Sequence, residues 1–544
     1  MAVLYSLTTL QKTITGHILG SHKDVRPWLL ELRSSNIVII STVTVAVFLD
    51  IFFYSVIIPV APYALVHYMH VSENEVQHDV SIGIMVYSAG LLASSLFFGM
   101  AADMLKSRRL IMLFGLAALA GATIVLCLAR SFAVFIIGRL LQGISAATVW
   151  VAGLALISDS FAEEKIGFVM GVVGGGLSMG AFLGPLLGGI IYERAGYNAV
   201  FGLCFGFLGI DICLRLFMLE KKVLRRFEKP AEDDIIEMND IPESVTVAPT
   251  IVDTIAEEET SKHDGQTDPT DIQASDEPMP PLKKSKLPVT LRLLGNMRLV
   301  NSLFVTLMMG WIMTGLESTL PLHAEELFHF DSLGAGLLFL PIAITSMIGP
   351  LAGLWVDRNG PRWALSCGFL ISTPMLALLR VPDKNTTGQK VLLFAFLTFW
   401  GLGLALMMTC TMAEISSCVM DAERKRPGIF GATGAFGQAF GLFNFVYSAG
   451  SLIGPLEAGF TADKHGWNTV TWVLALLSGI SLIPAFLFTG GYVFQKKKPE
   501  SESIDSTPVV DQEVAMEAHV STATSTIDEK TIFTQRPSTV DAKL

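Results

Sequence analysis

Charge is what this 544-residue chain has least of. Asp, Glu, Lys and Arg make up only 16% of it, where a soluble globular chain carries roughly a quarter. With 51% apolar residues and a mean hydropathy of +0.54, that scarcity excludes an ordinary soluble domain. Lysine and arginine are missing altogether from residues 61–79 and 323–332. None of the six cysteines (127, 204, 213, 367, 410, 418) stands in a CxxC spacing, and all lie in apolar stretches. They read as core residues, with no disulfide framework and no metal site. The first 36 residues lack a short apolar core, so no cleavable signal is expected. No nucleic-acid partner is expected.

The apolar residues that are present gather into runs of spanning length. They fall near 37–60, 80–100, 109–129, 132–157, 166–192 and 198–219, then near 302–322, 333–356, 361–380, 391–415, 429–461 and 467–493. Runs this long predict helices, because barrel strands would be about ten residues long and would alternate. The expected fold is an all-α membrane protein of twelve transmembrane helices in two six-helix bundles, residues 37–219 and 301–493. A cytoplasmic segment 1–36, a linker 220–300 and a tail 494–544 complete the domain plan.

The net charge of −11 belongs mainly to the linker: residues 231–280 hold 15 acidic residues and one lysine, so the rest of the chain sums to +3. That insert and the tail from 499 are rich in Asp, Glu, Ser, Thr and Pro, a composition that predicts disorder. Orientation follows from Lys and Arg. Lys106, Arg108 and Arg109 follow span 2, Lys221 to Lys229 follow span 6, and Arg358 and Arg362 follow span 8. Arg424 to Arg426 follow span 10, and Lys496 to Lys498 follow span 12. Both termini are therefore expected in the cytoplasm. The sequon Asn385-Thr386-Thr387 then falls outside, as a candidate glycosylation site.

The halves repeat. Gly180, Gly184, Pro185, Gly189, Gly196 and Asn198 recur 270 positions later as Gly450, Gly454, Pro455, Gly459, Gly466 and Asn468. A second echo pairs Gly99, Asp103 and Arg108 with Gly353, Asp357 and Arg362. Duplicated halves joined by a long linker are the architecture of a secondary transporter.

One residue points to the chemistry. Asp50 lies inside the apolar run Ile37 to Val60, where a charge costs about 2.5–3.5 kcal/mol and needs a partner, a proton or water. At 1.5 Å per residue, Asp50 lies about 20 Å from the cytoplasmic end of span 1, and Glu317 and Asn444 about 22 Å into spans 7 and 11. Arg139 and Tyr87 lie about 10 Å in from the outer side, so the five share one layer of a core about 30 Å thick. Thr409 and Gln142 complete the candidate substrate and proton site. Asp211 and Arg215, spaced i, i+4, are expected to pair locally. Glu414 reads as a gate or as a snorkelling carboxylate. Phe52, Phe53, Tyr54, Met308, Met309 and Met313 are candidate cavity lining.

Three motifs resemble the major facilitator superfamily. Gly99-xxx-Asp103-xxxx-Arg108-Arg109 resembles its loop between helices 2 and 3, where an Asp pairs with basic groups to lock one conformation. Gly138-Arg139-Leu-Leu-Gln142-Gly143 resembles the helix 4 motif of its proton-coupled members. Gly176-xxx-Gly180-xxx-Gly184-Pro185-xx-Gly188-Gly189 resembles the helix 5 motif of its antiporters, a small-residue face with a proline bend. Phe48-Leu-Asp50, Pro59-Val-Ala-Pro62 and Leu316-Glu317-Ser-Thr-Leu-Pro321 further resemble vesicular amine transporters and their fungal drug–proton antiporter relatives, in which the Asp and the Glu serve amine recognition. Where those transporters carry a helix 2 lysine and helix 10 and 11 aspartates, this chain has Tyr87, Thr409 and Asn444. Amine specificity and proton stoichiometry therefore do not carry over.

The resemblance implies a proton-coupled antiporter exporting a small hydrophobic or amphipathic compound. It would work as a lipid-embedded monomer, driven by the proton gradient without a cofactor, with Arg139 acting on a neighbouring carboxylate. The plasma membrane is the expected site, a vacuolar or vesicular membrane the alternative. The rival functions are amine storage and a non-transporting sensor signalling through residues 231–290. Nothing in the sequence supports an enzyme.

Overall fold

In the computed structural model, residues 26–492 are described, except 73–74, 106, 229–287, 331–333, 335–336 and 431–433. The acidic insert, the C-terminal tail, Lys106 and the first 25 residues therefore lie outside the described residues. Every described element is helical. In the first half the long helices are α1 (Asn36–Val56), α2 (Val76–Met104), α3 (Arg108–Cys127), α4 (Phe132–Ser160), α5 (Glu163–Ala195) and α6 (Tyr197–Phe217). In the second half they are α7 (Met297–Phe328), α8 in two pieces (Leu340–Ser346 and Gly349–Asn359), α9 (Pro361–Leu378), α10 (Thr387–Lys425), α11 (Phe436–His465) and α12 (Trp467–Phe488).

Ten of these helices are long and apolar enough to cross a membrane, and α8 makes eleven if its two pieces, bent by 41°, count as one span. The expected twelfth, α9, is only 18 residues long. It carries Arg362 in its first turn and Pro374, Ser366 and Ser372 within, so it falls short in apolarity. Other boundaries also move. The first run breaks at Pro59, and a separate helix, Ala61–Met69, follows. Helix α10 extends well past its apolar stretch at both ends, and α11 begins seven residues later than its run suggested.

Local signals explain where the helices start. The Ser35 hydroxyl caps α1 by accepting the Val38 N–H, and the Asn296 amide oxygen accepts the Arg298 N–H at the start of α7. The tight joints α5–α6 and α11–α12 fall on Gly196 and Gly466, at φ 79° and 76°. Both occupy a region that side chains disfavour, at matching points of the repeat.

Packing repeats as the sequence does. In the first half α1 packs on α5, α2 on α4, and α3 on α4 and α6; in the second, α7 packs on α11, α8 on α10, and α9 on α10 and α12. The halves meet where α2 and α4 touch α11 and where α5 touches α8 and α10. The antiporter-like glycines serve the α1–α5 seam. A side chain at Gly176, Gly180, Gly184 or Gly188 would collide with Thr44, Phe48, Ser55 or Val56, whereas Gly189 meets nothing within 4 Å. Gly189 is thus off the seam. Helix α5 continues unbroken through Pro185, and α11 through Pro455. On α11, Gly454 stacks on the Trp311 carbonyl of α7, the same arrangement one repeat later.

Candidate functional site

Asp50 is wholly enclosed, at 0% exposure, among α1, α4, α2 and α6. One carboxylate oxygen, Oδ2, accepts the indole N–H of Trp150 at 3.0 Å, while Oδ1 has no hydrogen-bond partner. Tyr87 lies beside it, and the nearby Asp211–Arg215 pair on α6 is closed at 3.0 and 2.6 Å, as the i, i+4 spacing predicted. Trp150 is the residue that motif reading passed over. It stands eleven positions after Arg139, about three helical turns and so on the same face of α4; that spacing was the available signal.

Arg139 is buried against a pair of neighbouring phenol rings. Its guanidinium carbon lies 5.1 Å from the ring centre of Tyr54 and 5.4 Å from that of Tyr87, and the two rings are 4.5 Å apart. Its Nη1 donates to Gln142 Oε1 at 2.8 Å, and its Nε to the Gly83 carbonyl at 3.3 Å. Among the described residues no carboxylate lies within 4 Å of it. The ion pair expected between Arg139 and a neighbouring carboxylate, for which Glu317 at the same depth was the candidate, therefore does not form here, because the arginine is held by tyrosine faces, Gln142 and backbone carbonyls.

Glu317, on α7, is half-buried and likewise has no basic partner within 4 Å among the described residues. It interacts with the phenols of Tyr54 and Tyr447. Tyr447 hydroxyl contacts Met313 sulfur at 3.5 Å and interacts with Tyr87 across the halves. Tyr447 stands three residues after Asn444, which is buried with its amide nitrogen unpartnered. Thr409 is buried on α10 and faces Gly174 of α5 at 3.9 Å from its would-be Cβ.

Asp50, Tyr87, Arg139 and Gln142 thus come together, and Glu317 approaches through tyrosines, while Thr409 stands apart at the α5–α10 contact. Of the proposed lining, Tyr54 and Met313 belong to the site. Phe52 and Phe53 pack inside the first half around Phe207, and Met309 inside the second beside Trp400. Glu414 is fully buried and bidentate with Arg298 at 3.0 Å, and it accepts the Gly490 N–H at 2.8 Å. It ties α7, α10 and α12 within one half, which fits neither snorkelling nor a gate between halves.

Two aspartates latch the halves. Asp103, at the end of α2, accepts the N–H groups of Gly437 and Gln438 at the start of α11, both at 2.8 Å. Those donors have no partner within their own helix and sit at its positive end. Arg108 bridges Asp103 and Asp159, each at 3.0 Å. Asp357, on α8, accepts from Gly167 and Phe168 of α5 at 2.7 and 2.8 Å. The repeat departs in its cations. Arg362 does not reach Asp357 and instead donates to the Thr489 and Gly491 carbonyls beyond α12, and Arg109 similarly holds the Arg215 carbonyl at the end of α6. Gly99 lies against Gly437 and Gly441, and Gly353 against Gly167, so the backbones touch at both latches.

The profile of the family described as the Major Facilitator Superfamily matches residues 43–437. The chain is a member of the major facilitator superfamily. It is 30% identical to the MFS-type transporter ppzB of Metarhizium rileyi over 475 residues, covering 85% of this chain and 97% of that protein. It is 24% identical to the human synaptic vesicular amine transporter over 366 residues, 66% of this chain and 57% of that one. The crystal structure of the human organic anion transporter MFSD10 shares the fold, with a TM-score of 0.60 at 16% identity, covering 82% of this chain and 99% of the other. This major facilitator chain is accordingly an all-α, multi-pass membrane transporter, which implies a small-molecule substrate.

Proposed function

We propose that the protein is a proton-coupled antiporter that expels a small hydrophobic or amphipathic organic compound, by alternating access of its two halves. The observation carrying this reading is that two central carboxyls, Asp50 on α1 and Glu317 on α7, lie in opposite halves without a basic partner within 4 Å among the described residues. An unpaired acid at membrane depth is costly unless it takes up a proton or a cationic group. Acids that exchange one for the other couple the two fluxes. The proton gradient supplies the drive, with no cofactor. The Asp103 and Asp357 latches hold the halves together on the side rich in Lys and Arg, which the charge bias assigns to the cytoplasm. Both termini lie there too, and the lipid-embedded monomer sits in the plasma membrane.

One observation favours storage of organic amines as a second reading. Tyr54, Tyr87, Tyr447 and Trp150 present aromatic surface beside the two acids, a setting that attracts ammonium groups. Flux of tetraphenylphosphonium and of an uncharged hydrophobic dye in proteoliposomes with an imposed pH gradient separates the readings. Export reading predicts gradient-driven movement of both, storage reading of the cation alone. No gradient-driven movement of either would remove proton coupling.

Glu317→Gln is expected to weaken movement of the cation at least tenfold while leaving the uncharged dye within about twofold. A neutral amide keeps the polar contacts near Tyr54 and Tyr447 but loses the charge that favours a cation, worth about 1–2 kcal/mol at a desolvated site. Equal loss for both probes would mean that Glu317 carries the exchanged proton for every substrate and does not merely favour cations.

Asn385 is exposed in the loop between α9 and α10, on the side opposite the latches. Asn385→Gln is expected to abolish the mobility shift that peptide N-glycosidase produces on protein from a eukaryotic host. An unchanged shift would contradict this assignment, since no other Asn-x-Ser/Thr sequon occurs in the chain.

A further inference from the structure

We infer that Trp150 is the positioning residue for Asp50: its indole N–H holds one carboxylate oxygen and so reserves the other as the seat of the exchanged proton. The inference rests on the antiporter reading for its functional meaning, and on geometry for its substance. Trp150 is 6% exposed on α4, in a run of small residues, Ala146, Ala147 and Thr148, that are themselves fully buried. Its Nε1 donates to Asp50 Oδ2 at 3.0 Å, a distance and chemistry suited to a charge-assisted bond. Oδ1 accepts no hydrogen bond within 3.5 Å, and the Tyr87 hydroxyl is the other side-chain group that interacts with the carboxyl.

Buried indoles usually satisfy their N–H somewhere; Trp311 donates to Glu457 on α11 at 3.4 Å, a longer bond to an acid late in that helix, and two further indoles show other outcomes. Trp467 donates to the Leu379 carbonyl at 3.0 Å, a purely structural bond, and Trp400 leaves its N–H unpartnered. Of these four, Trp150 alone bonds Asp50, and at 3.0 Å it makes the shorter of the two bonds to an acid. An indole nitrogen is a donor only, so the bond persists whichever state the carboxyl is in. The proton therefore enters and leaves at Oδ1, and the plane of the carboxyl is fixed throughout. Donation to the anion favours the charged form, which eases release of the proton after each cycle.

The other groups facing Asp50 do not supply this function. From α2 comes Tyr87, whose hydroxyl interacts with the carboxyl without a bond as short as that of Trp150, and from α6 the closed pair Asp211–Arg215. Helix α5 lies against α1 through Gly180 and Gly184, and between Gly167 and Ile191 it contains no titratable side chain. On α4, Arg139 is committed to Gln142 and the two tyrosines, and Asp159 to Arg108.

The test uses the full-length chain in proteoliposomes. Trp150→Phe removes the N–H and keeps an aromatic body; benzothienylalanine at position 150 keeps the indole outline and replaces only N–H by sulfur. Driven flux of each variant is normalised to its own substrate exchange at equal pH on the two sides, so that any change in binding is separated from the pH profile. Both should move the pH profile of gradient-driven flux about one unit toward alkaline values, because a bond to a charged group is worth roughly that much. Infrared difference spectra should show the protonated Asp50 carbonyl band, identified by its loss in Asp50→Asn, shifting upward in both variants. A uniform fall in flux with an unmoved profile and an unmoved band would reduce Trp150 to a packing residue. Wild-type protein showing no gradient-driven flux would instead remove the antiporter reading, while the infrared band would still decide whether Trp150 positions Asp50.

Discussion

Asp50→Asn is expected to bring pH-gradient-driven flux to background while leaving substrate exchange at equal pH largely intact. The amide keeps an oxygen for the Trp150 N–H and nearly the same volume, so the enclosed packing of α1 against α4 and α5 is preserved. What it cannot do is carry a proton. Removing an acid that has no basic partner should also leave thermal stability in detergent within about 1 kcal/mol, or raise it, since an unpaired buried charge is itself destabilising. Paired measurements of driven flux and equal-pH exchange on one preparation check this. Driven flux persisting in a normally folded Asp50→Asn protein would move the proton site elsewhere, with Glu317 the next candidate.

The second large effect is expected at the α5–α8 latch. In Gly353→Leu the new side chain would meet the Gly167 carbonyl and the Phe168 Cα, the latter 2.6 Å from the Cβ. These are backbone atoms that no rotamer change can move. Overpacking of this kind costs about 1–3 kcal/mol or more, and each 1.4 kcal/mol is tenfold in a two-state equilibrium. The population should therefore shift by about ten- to a hundredfold away from the closed arrangement. The readout is a cysteine at Ser416, whose hydroxyl now bonds Ser158 across the halves at 2.8 Å, in a protein with its six native cysteines replaced. Faster labelling of that thiol by an impermeant reagent from the latch side is the expected result. Unchanged labelling would mean that the contact does not control access.

Much of this molecule was legible because membrane constraints write themselves into sequence. Asp50 and Glu317 stood out as acids in apolar runs, and the Gly180–Gly184–Gly188 periodicity announced a close helix seam, which α1 supplies. The repeat was readable in Gly196 and Gly466, which do the same conformational work in both halves. What was not legible depended on which of several polar neighbours a side chain chooses. Arg139 could have met Glu317 by depth alone, yet rotation about the helix axes and the faces of Tyr54 and Tyr87 settle it differently. Arg362 matched Arg108 in register but found free carbonyls nearer than Asp357. Helix α9 was read as an apolar run of spanning length, but Arg362 and its prolines and serines leave it short of that apolarity. Trp150 escaped because an indole in an apolar run looks like packing until its nitrogen is seen to face an acid.

The latches also shape how this protein tolerates inheritance. Asp103 and Asp357 both grasp peptide N–H groups, at residues 437, 438, 167 and 168. Every amino acid but one offers such a group, so side-chain replacement in α5 or α11 leaves the donors in place, and only proline deletes them. The aspartates have no such latitude. Mutational tolerance is therefore lopsided across each closure: one partner is confined to an acid, while its opposite is answerable to shape rather than chemistry. Away from Gly167, Gly437 and the other close-approach glycines, where a side chain would strike its neighbour, the receiving helices can drift in sequence and retune what the cavity between them admits without losing the means of shutting it.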